Sequence, residues 1–339
     1  MLERTLLADG ARVCSQIDME PLRAATVLVT GASGLIGTHV LASLCSLQQK
    51  GWNCTVIGVV KGDPPDHIEA LRAAVPFELL RLDLSDPKTH DSLPRADVIV
   101  HAAGYAQPAL FTADPVATIQ LNTTATAALI RRLLPDGRFL FVSSSEVYSG
   151  LDKQLLAESD IGTTSPDHPR AAYIEGKRAG ETLCHAARAQ GISAAIGRLA
   201  HAYGPGTRRH DSRVLNAFIE KALVLGRIEL LDAGHAVRTY CYAADAVGLL
   251  WSILLRGRHA VYNVGGVATV TVAELARRIG HYTGADVVIP AVERGLPGAP
   301  QEVRLDLSRV TSEFTAWSFV SLDEGLCATI EWQRALYAR

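Results

Sequence analysis

The chain shows no bias of charge. Its 339 residues carry 33 lysines and arginines against 35 aspartates and glutamates, a net charge of −2. With no basic excess and no polybasic run, neither nucleic acid nor an anionic membrane surface is expected as a partner. No apolar run is long enough to span a bilayer. The opening residues M-L-E-R-T-L-L-A-D-G lack the basic stretch and apolar core of a secretory signal. The six cysteines are scattered and none forms a C-x-x-C. Free thiols in a reducing, cytoplasmic setting fit that usage. The eleven histidines show no ligand-like spacing, so no metal is expected. Repeats and low-complexity linkers are also missing. What remains is an ordinary globular composition, 48% hydrophobic and 20% charged, enough for one or two domains.

Thr26–Thr30 (T-V-L-V-T) is a β-branched apolar run, the mark of a strand buried on both faces. It runs into G-A-S-G-L-I-G and then a helical pattern. Strand, glycine turn and helix together are the context of a dinucleotide fingerprint. Gly31 and Gly34 let the backbone turn and approach a pyrophosphate, and Gly37 lets the helix sit close to the sheet. Ser33, Leu35 and Ile36, in the same turn, join the candidate cofactor contacts. Further strands are expected over 54–60, 77–81, 98–101, 139–143 and 194–197, separated by helices that include 115–134 and 171–190. The alternation predicts an α/β fold with a doubly wound parallel sheet, Rossmann-like. Ligands in such sheets bind beyond the carboxyl ends of the strands, where Gly31, Asp83 with Leu84, Ala102, Ala103, residues 143–146 and residues 198–203 fall.

The expected organisation has three parts. Residues 1–25 form an extension, with a short helix packed outside the main domain. Residues 26–203 form the dinucleotide-binding domain, to which 236–265 return. Residues 204–339 mainly form a smaller C-terminal substrate-binding lobe.

Tyr173 and Lys177 stand four residues apart in a helical pattern, so their side chains share one face. A phenol is a poor base at neutrality, and a nearby ammonium favours its ionised form. Of the nine tyrosines only Tyr173 has a lysine four positions later.

The motifs G-x-x-G-x-x-G, Asp83, H-A-A (101–103), Asn122, S-S-S-E-V-Y (143–148), Y-x-x-x-K, R-x-x-x-x-Y-G-P (198–205), V-R-T-Y-x-Y-x-x-D (237–245), Y-N-V-G-G (262–266) and a closing S-L-D-E-G-L-x-x-T-I-E-W (321–332) follow one another in the chain. In this order they resemble the extended short-chain dehydrogenase/reductases, the NAD-dependent epimerase/dehydratase enzymes of nucleotide sugars. Within that family P-R-A-A-Y-I-E-G-K-R, D-S-R-V-L-N-A-F-I and S-S-E-V-Y resemble the UDP-glucuronate decarboxylases.

The resemblance implies NAD held by the glycine turn, Asp83, Leu84, Ala102, Ala103, Asn122, Tyr173 and Lys177. It implies Ser144 on the C4 hydroxyl, Tyr173 as base, Lys177 on the nicotinamide ribose and Glu146 as acid/base. Ser145, His201, Arg213 and Arg238 become substrate contacts, with the two arginines meeting a diphosphate and a sugar carboxylate. A homodimer is implied as well. Departures from the pattern also matter. No acid follows the second strand, where Gly58 stands, and Lys61 nearby leaves NADP open beside NAD. Ser145 stands where the dehydratases carry aspartate. His201 replaces an asparagine, and the C-terminal arginine position falls near Leu296 or Glu302. Decarboxylation is thus the first expectation, 4-epimerisation the alternative, 4,6-dehydration a weaker one. A dinucleotide-sensing regulator on the same fold is the non-enzymatic alternative, which an intact Ser144, Tyr173 and Lys177 argue against.

Overall fold

In the computed structural model, which describes residues 2–291 and 302–338, the alternating pattern becomes a sheet wound outward from its middle. The chain runs through α1 (Leu2–Gln16), β1 (Thr26–Thr30), α2 (Leu35–Gln49), β2 (Thr55–Val60), α3 (Asp66–Ala74) and β3 (Glu78–Arg81). Next come β4 (Ala96–His101), the short helices α4 (Pro108–Ala113), α5 (Pro115–Asn122) and α6 (Thr124–Ile130), and the long strand β5 (Leu133–Ser144). A two-residue β6 (Leu155–Leu156) precedes α7 (Ala171–Ala189), β7 (Ser193–Leu199) and β8 (His201–Tyr203). The remainder is α8 (Val214–Leu225), β9 (Arg227–Glu229), β10 (Val237–Tyr242), α9 (Ala243–Arg256), β11 (Val261–Val264), β12 (Ala268–Thr271), α10 (Val272–Thr283), β13 (Asp286–Val288), β14 (Glu302–Leu305), α11 (Ser308–Glu313) and α12 (Leu322–Tyr337).

Seven strands pair in the order β11-β7-β5-β4-β1-β2-β3, all parallel. The chain starts at β1, moves to one edge, then returns to β4 and works toward the other edge. The crevice opens at that reversal, above the carboxyl ends of β1 and β4. This is the expected α/β class, and its central strands are buried nearly throughout because helices cover both faces.

A second sheet has the order β12-β10-β14-β6, with β8 paired to β10. The returning segment 236–265 is divided between the two sheets. β10 belongs to the small one, whereas β11 pairs with β7 as the seventh strand of the large one.

The stretch 115–134, expected as a single helix, breaks at Thr123 and ends at Ile130. Threonine hydroxyls bond back to carbonyls one turn earlier, Thr123 to Ile119 at 2.8 Å and Thr126 to Asn122 at 2.7 Å, and such bonds compete with the helix ladder. Leu133 and Leu134 already belong to β5.

Helix α1 packs on α2 and α9. Its Leu6 and Val13 are fully buried in the main core. Gly10 has no side chain to keep the backbone of α2 at Ala42 away. Asp9 accepts from the Tyr242 hydroxyl at 2.9 Å and lies 3.1 Å from Nε2 of the buried His39, which ties α1 to α2 and β10.

Asp245, in the first turn of α9, is 1% exposed and accepts the Val320 N–H at 2.8 Å. Burial outweighs that bond and pushes its carboxyl up to about 6. The folded state therefore holds a proton that the unfolded chain has released, and stability falls as pH rises from about 4 to 6. Asp245→Asn removes this group. The wild-type unfolding free energy minus that of the variant should decline by roughly 2–3 kcal/mol across that window. Urea titrations at pH 4, 5, 6 and 7 check this, and a difference that is flat with pH contradicts it.

Candidate functional site

A cleft of about 970 Å³ opens at the carboxyl ends of the central strands. β1 gives way to Gly31, with φ of +66°, and a Cβ there would lie 2.7 Å from the backbone of Ala102. Only glycine permits that turn so close to the segment after β4. Gly37 packs directly on Gly31, so α2 starts close against the turn. Ser33, Gly34, Leu35 and Ile36 line the cleft. The N-cap of α2 is Gly34, with no side-chain cap bond, and the first turn carries no acid. Its N–H groups and dipole are left for an anion, which suits a dinucleotide pyrophosphate.

At the far wall Asp83 accepts from Ser85 Oγ at 2.6 Å and from its N–H at 3.0 Å, and its other oxygen lies 3.0 Å from Lys61 Nζ. Lys61 also donates to the Tyr105 hydroxyl at 2.9 Å. Lys61 is therefore already matched by a carboxylate, and a 2′-phosphate there would also meet Asp83. The wall, with Leu84, Ala102 and Ala103 beside it, fits NAD better than NADP. Asn122 is set apart from the other cofactor candidates. It is fully buried on α5, bonds the Thr118 carbonyl at 2.8 Å and packs beneath Gly176 of α7. His101 is equally enclosed, between Thr30 Oγ1 at 2.7 Å and the Leu121 carbonyl at 3.1 Å, and burial lowers it to about 3.

Ser144 closes β5, and Tyr173 and Lys177 reach it from α7. The Ser144 hydroxyl accepts the Glu146 N–H at 3.2 Å and faces the Tyr173 phenol, whose ionised form it favours. Burial pushes Tyr173 up to about 12, and Ser144 and the charges of Arg170 and Arg213 only partly offset it. Lys177, lowered to about 8 by its own burial, donates to the Val142 carbonyl at 2.8 Å and sits 5.8 Å from the centre of the Tyr173 ring. The Lys177 ammonium is directed at the strand carbonyl, and the largest cationic influences on Tyr173 are those of Arg170 and Arg213.

Beneath the site Glu181 accepts from Ser143 Oγ at 2.6 Å and pairs with Arg198 at 2.7 Å. Arg198 also donates to the Tyr148 hydroxyl at 2.9 Å, which donates to Asn263 at 2.7 Å. One network thus fixes the end of β5, α7 and β11.

The other end of the cleft holds Ser145, Glu146, His201, Arg213 and Arg238 as expected, but their partners change the picture. Glu146 is salt-bridged to Arg170 and accepts from Ser149 Oγ at 3.2 Å. Arg213 is held by Asp211 through Nε at 2.9 Å and Nη2 at 2.5 Å. Nη1 of Arg238 donates to the Val237 carbonyl at 2.7 Å. His201 is exposed to solvent on the cleft wall, and the protein around it together with the charges of Arg238, Arg213 and Arg170 lowers it below the usual imidazole range. Phe111 stacks on Tyr173 with centroids 4.8 Å apart.

Sequence reasoning missed Arg170, Phe111, Tyr105 and Asp211. Arg170 and Asp211 lie inside quoted motifs, but nothing in their spacing marks whom they pair with. Arg294 and Leu296, near the expected C-terminal arginine position, lie outside the described residues. Among the described residues no group of three His, Cys, Asp or Glu side chains could hold a metal, and no helix is long and apolar enough to cross a membrane.

Two outcomes follow from this geometry. In cofactor-free protein, ultraviolet difference titration of wild type against Tyr173→Phe should show no excess tyrosinate below pH 10. A phenolate titrating near neutrality would contradict the burial account. By calorimetry NAD should bind more tightly than NADP, and Lys61→Ala should not reverse the order. A wild-type preference for NADP would show that Asp83 does not govern that wall.

The chain is similar to known proteins over most of its length. The profile of the NAD dependent epimerase/dehydratase family matches residues 27–265. UDP-glucuronic acid decarboxylase 6 of Arabidopsis thaliana is 31% identical over 303 residues, 88% of this chain and 86% of its own. UDP-glucuronic acid decarboxylase 1 of Xenopus tropicalis is 28% identical over 91% of this chain and 72% of its own. Among solved structures, MoeE5 in complex with UDP-glucose and NAD superposes with a TM-score of 0.72 at 26% identity, covering 92% of this chain and 99% of that one. UDP-glucose 4-epimerase of Thermotoga maritima gives 0.78 at 25% identity over the same shares. Glycine turn, relay and similarity all lead to one conclusion: this chain belongs to the NAD dependent epimerase/dehydratase family, enzymes of nucleotide-sugar chemistry.

Proposed function

We propose that this enzyme decarboxylates UDP-glucuronate. The observation that carries the reading is that the Ser144–Tyr173 pair and the Glu146–Arg170 pair share one cleft. A proton relay for a sugar hydroxyl thus stands beside an acid and a cation suited to a sugar carboxylate. The likeness to decarboxylases over most of the chain supports it.

Bound NAD supplies the chemistry of taking the C4 hydride and giving it back. The residues of the chain do the rest. Ser144 orients the C4 hydroxyl, and Tyr173 takes its proton as the phenolate, having first given up its own proton to solvent in the loaded site. Lys177 holds the nicotinamide ribose. The resulting 4-ketone accepts the electron pair when the C5–C6 bond breaks and carbon dioxide leaves. C5 then takes a proton that comes from solvent, and Glu146, two residues after Ser144 in the same cleft, is placed to relay it. The net change is uronate plus one proton to pentose plus carbon dioxide. Arg238 meets the diphosphate, with His201 as a neutral contact. Ser145 in place of an acid leaves nothing there to protonate a departing hydroxyl, which disfavours 4,6-dehydration.

The reading extends to organisation. The large sheet carries the cofactor, and the lobe built on β10 and α8 carries the sugar nucleotide. The six free cysteines suit a cytoplasmic enzyme. Leu110, Val116 and Ile119, exposed on α4 and α5, suit burial in a homodimer.

UDP-glucuronate labelled at C6 should release labelled carbon dioxide, and Tyr173→Phe should cut the rate by about 10²-fold or more. No label release, with a 4-epimer in the products instead, would replace decarboxylation by epimerisation.

A further inference from the structure

Three arginines reach the sugar end of the cleft, and they differ in what already holds them. Arg213 is gripped in bidentate fashion by Asp211, itself 4% exposed. Nη1 of Arg238 turns back to its own strand. Arg170 gives one Nη2 to Glu146, while its Nε is buried and has no hydrogen-bond partner among the described residues. One edge of this guanidinium fork is thus half used. A buried donor without an acceptor is costly, and a carboxylate is the group that fills Nε and Nη2 together.

The position is also suitable. Arg170 is the N-cap residue of α7, three positions before Tyr173. Its guanidinium lies 5.8 Å from the centre of the Phe111 ring, and that ring stacks on Tyr173 at 4.8 Å and 16°. Cation, ring and phenol form a column. A uronate whose C4 hydroxyl meets Tyr173 carries its carboxylate only two carbons away.

We propose that Arg170 is the specificity residue for the sugar carboxylate, and that it takes this carboxylate by exchanging it for Glu146. The proposal rests on the uronate reading above. In the exchange the substrate carboxylate occupies Nε and Nη2, and Glu146 is released from the guanidinium but keeps its bond from Ser149. Only when a uronate is seated is the Glu146 carboxylate thus free to pick up from solvent the proton that C5 later needs. A neutral sugar has no anion to exchange and leaves the pair closed. Once carbon dioxide has left, the fork has lost its second anion and Glu146 can return.

Exchange makes two substitutions act in opposite directions, which a merely structural pair would not do. Calorimetry of NAD-loaded protein in a Tyr173→Phe background, where turnover is suppressed, compares UDP-glucuronate with UDP-glucose. Arg170→Gln should weaken UDP-glucuronate by about tenfold or more and leave UDP-glucose within about twofold, since only the uronate loses a charge-assisted pair. Glu146→Gln removes the competing anion and should tighten UDP-glucuronate severalfold, with UDP-glucose unchanged. Equal weakening of both sugars by Arg170→Gln, or weaker UDP-glucuronate in Glu146→Gln, overturns the proposal. The labelled carbon dioxide assay separates it from the reaction assignment. Carboxylate discrimination lost with Arg170 but no gas from wild type would leave this proposal standing and the decarboxylase reading fallen. Gas release with discrimination intact in Arg170→Gln would do the reverse.

Discussion

A carboxylate and a guanidinium, both almost excluded from water, sit directly under the reacting groups. Glu181 and Arg198 are exposed by only 7% and 11% at their side chains. Such a pair is costly to bury and becomes far more costly if one partner is lost, so it is conditional on its surroundings being complete. Here they are. Ser143, Tyr148, the Glu158 carbonyl and, through Tyr148, Asn263 fill the remaining positions. Because Ser143 precedes Ser144 and Glu181 lies one helical turn beyond Lys177, the pair holds the serine and the lysine in one frame. Asn263 extends the frame by bonding the carbonyls of Leu156 and Asp306, which belong to the smaller sheet region.

With that frame rigid, the chemistry is governed by desolvation. The same burial raises the Tyr173 phenol and lowers Lys177, so both groups are pushed toward their neutral forms. A neutral phenol facing Ser144 gives up its proton only when something cationic enters or moves nearby. The arginines supply part of that field, yet Arg170 and Arg213 are each matched by an acid at rest. The site therefore keeps its charges balanced in pairs. A cationic group bound beside Tyr173 is what can unbalance them in favour of the phenolate.

Legibility in the sequence followed the range of the interaction. The strand–glycine–helix unit was readable because Gly31, Gly34 and Gly37 act within a few residues of one another. Tyr173 and Lys177 were readable because one helical turn brings them onto one face, although where Lys177 points was not. Lys61 and Asp83 looked like separate features, since only the pairing of β2 with β3 makes them neighbours. Arg170 and Glu146 are 24 residues apart, and Phe111 is farther still from Tyr173. No periodicity joins them. The break at Thr123 was hidden for another reason, because hydroxyl bonds to carbonyls one turn back leave the apolar pattern intact.

The seventh strand has a consequence for how the chain must be made. β11 lies beyond α8 and β10 in the chain, yet it covers the open side of β7. A fragment ending near residue 203 would retain Gly31, Gly34 and Gly37 and both α7 residues of the relay. It would also leave β7 as a bare sheet edge, ready to add a strand from another molecule. It would lack α9, whose Trp251 donates to Ser43 of α2 inside the core. On a ribosome, the dinucleotide half is therefore complete in sequence well before it is complete as a sheet. It must wait for nearly sixty more residues before its last edge is closed.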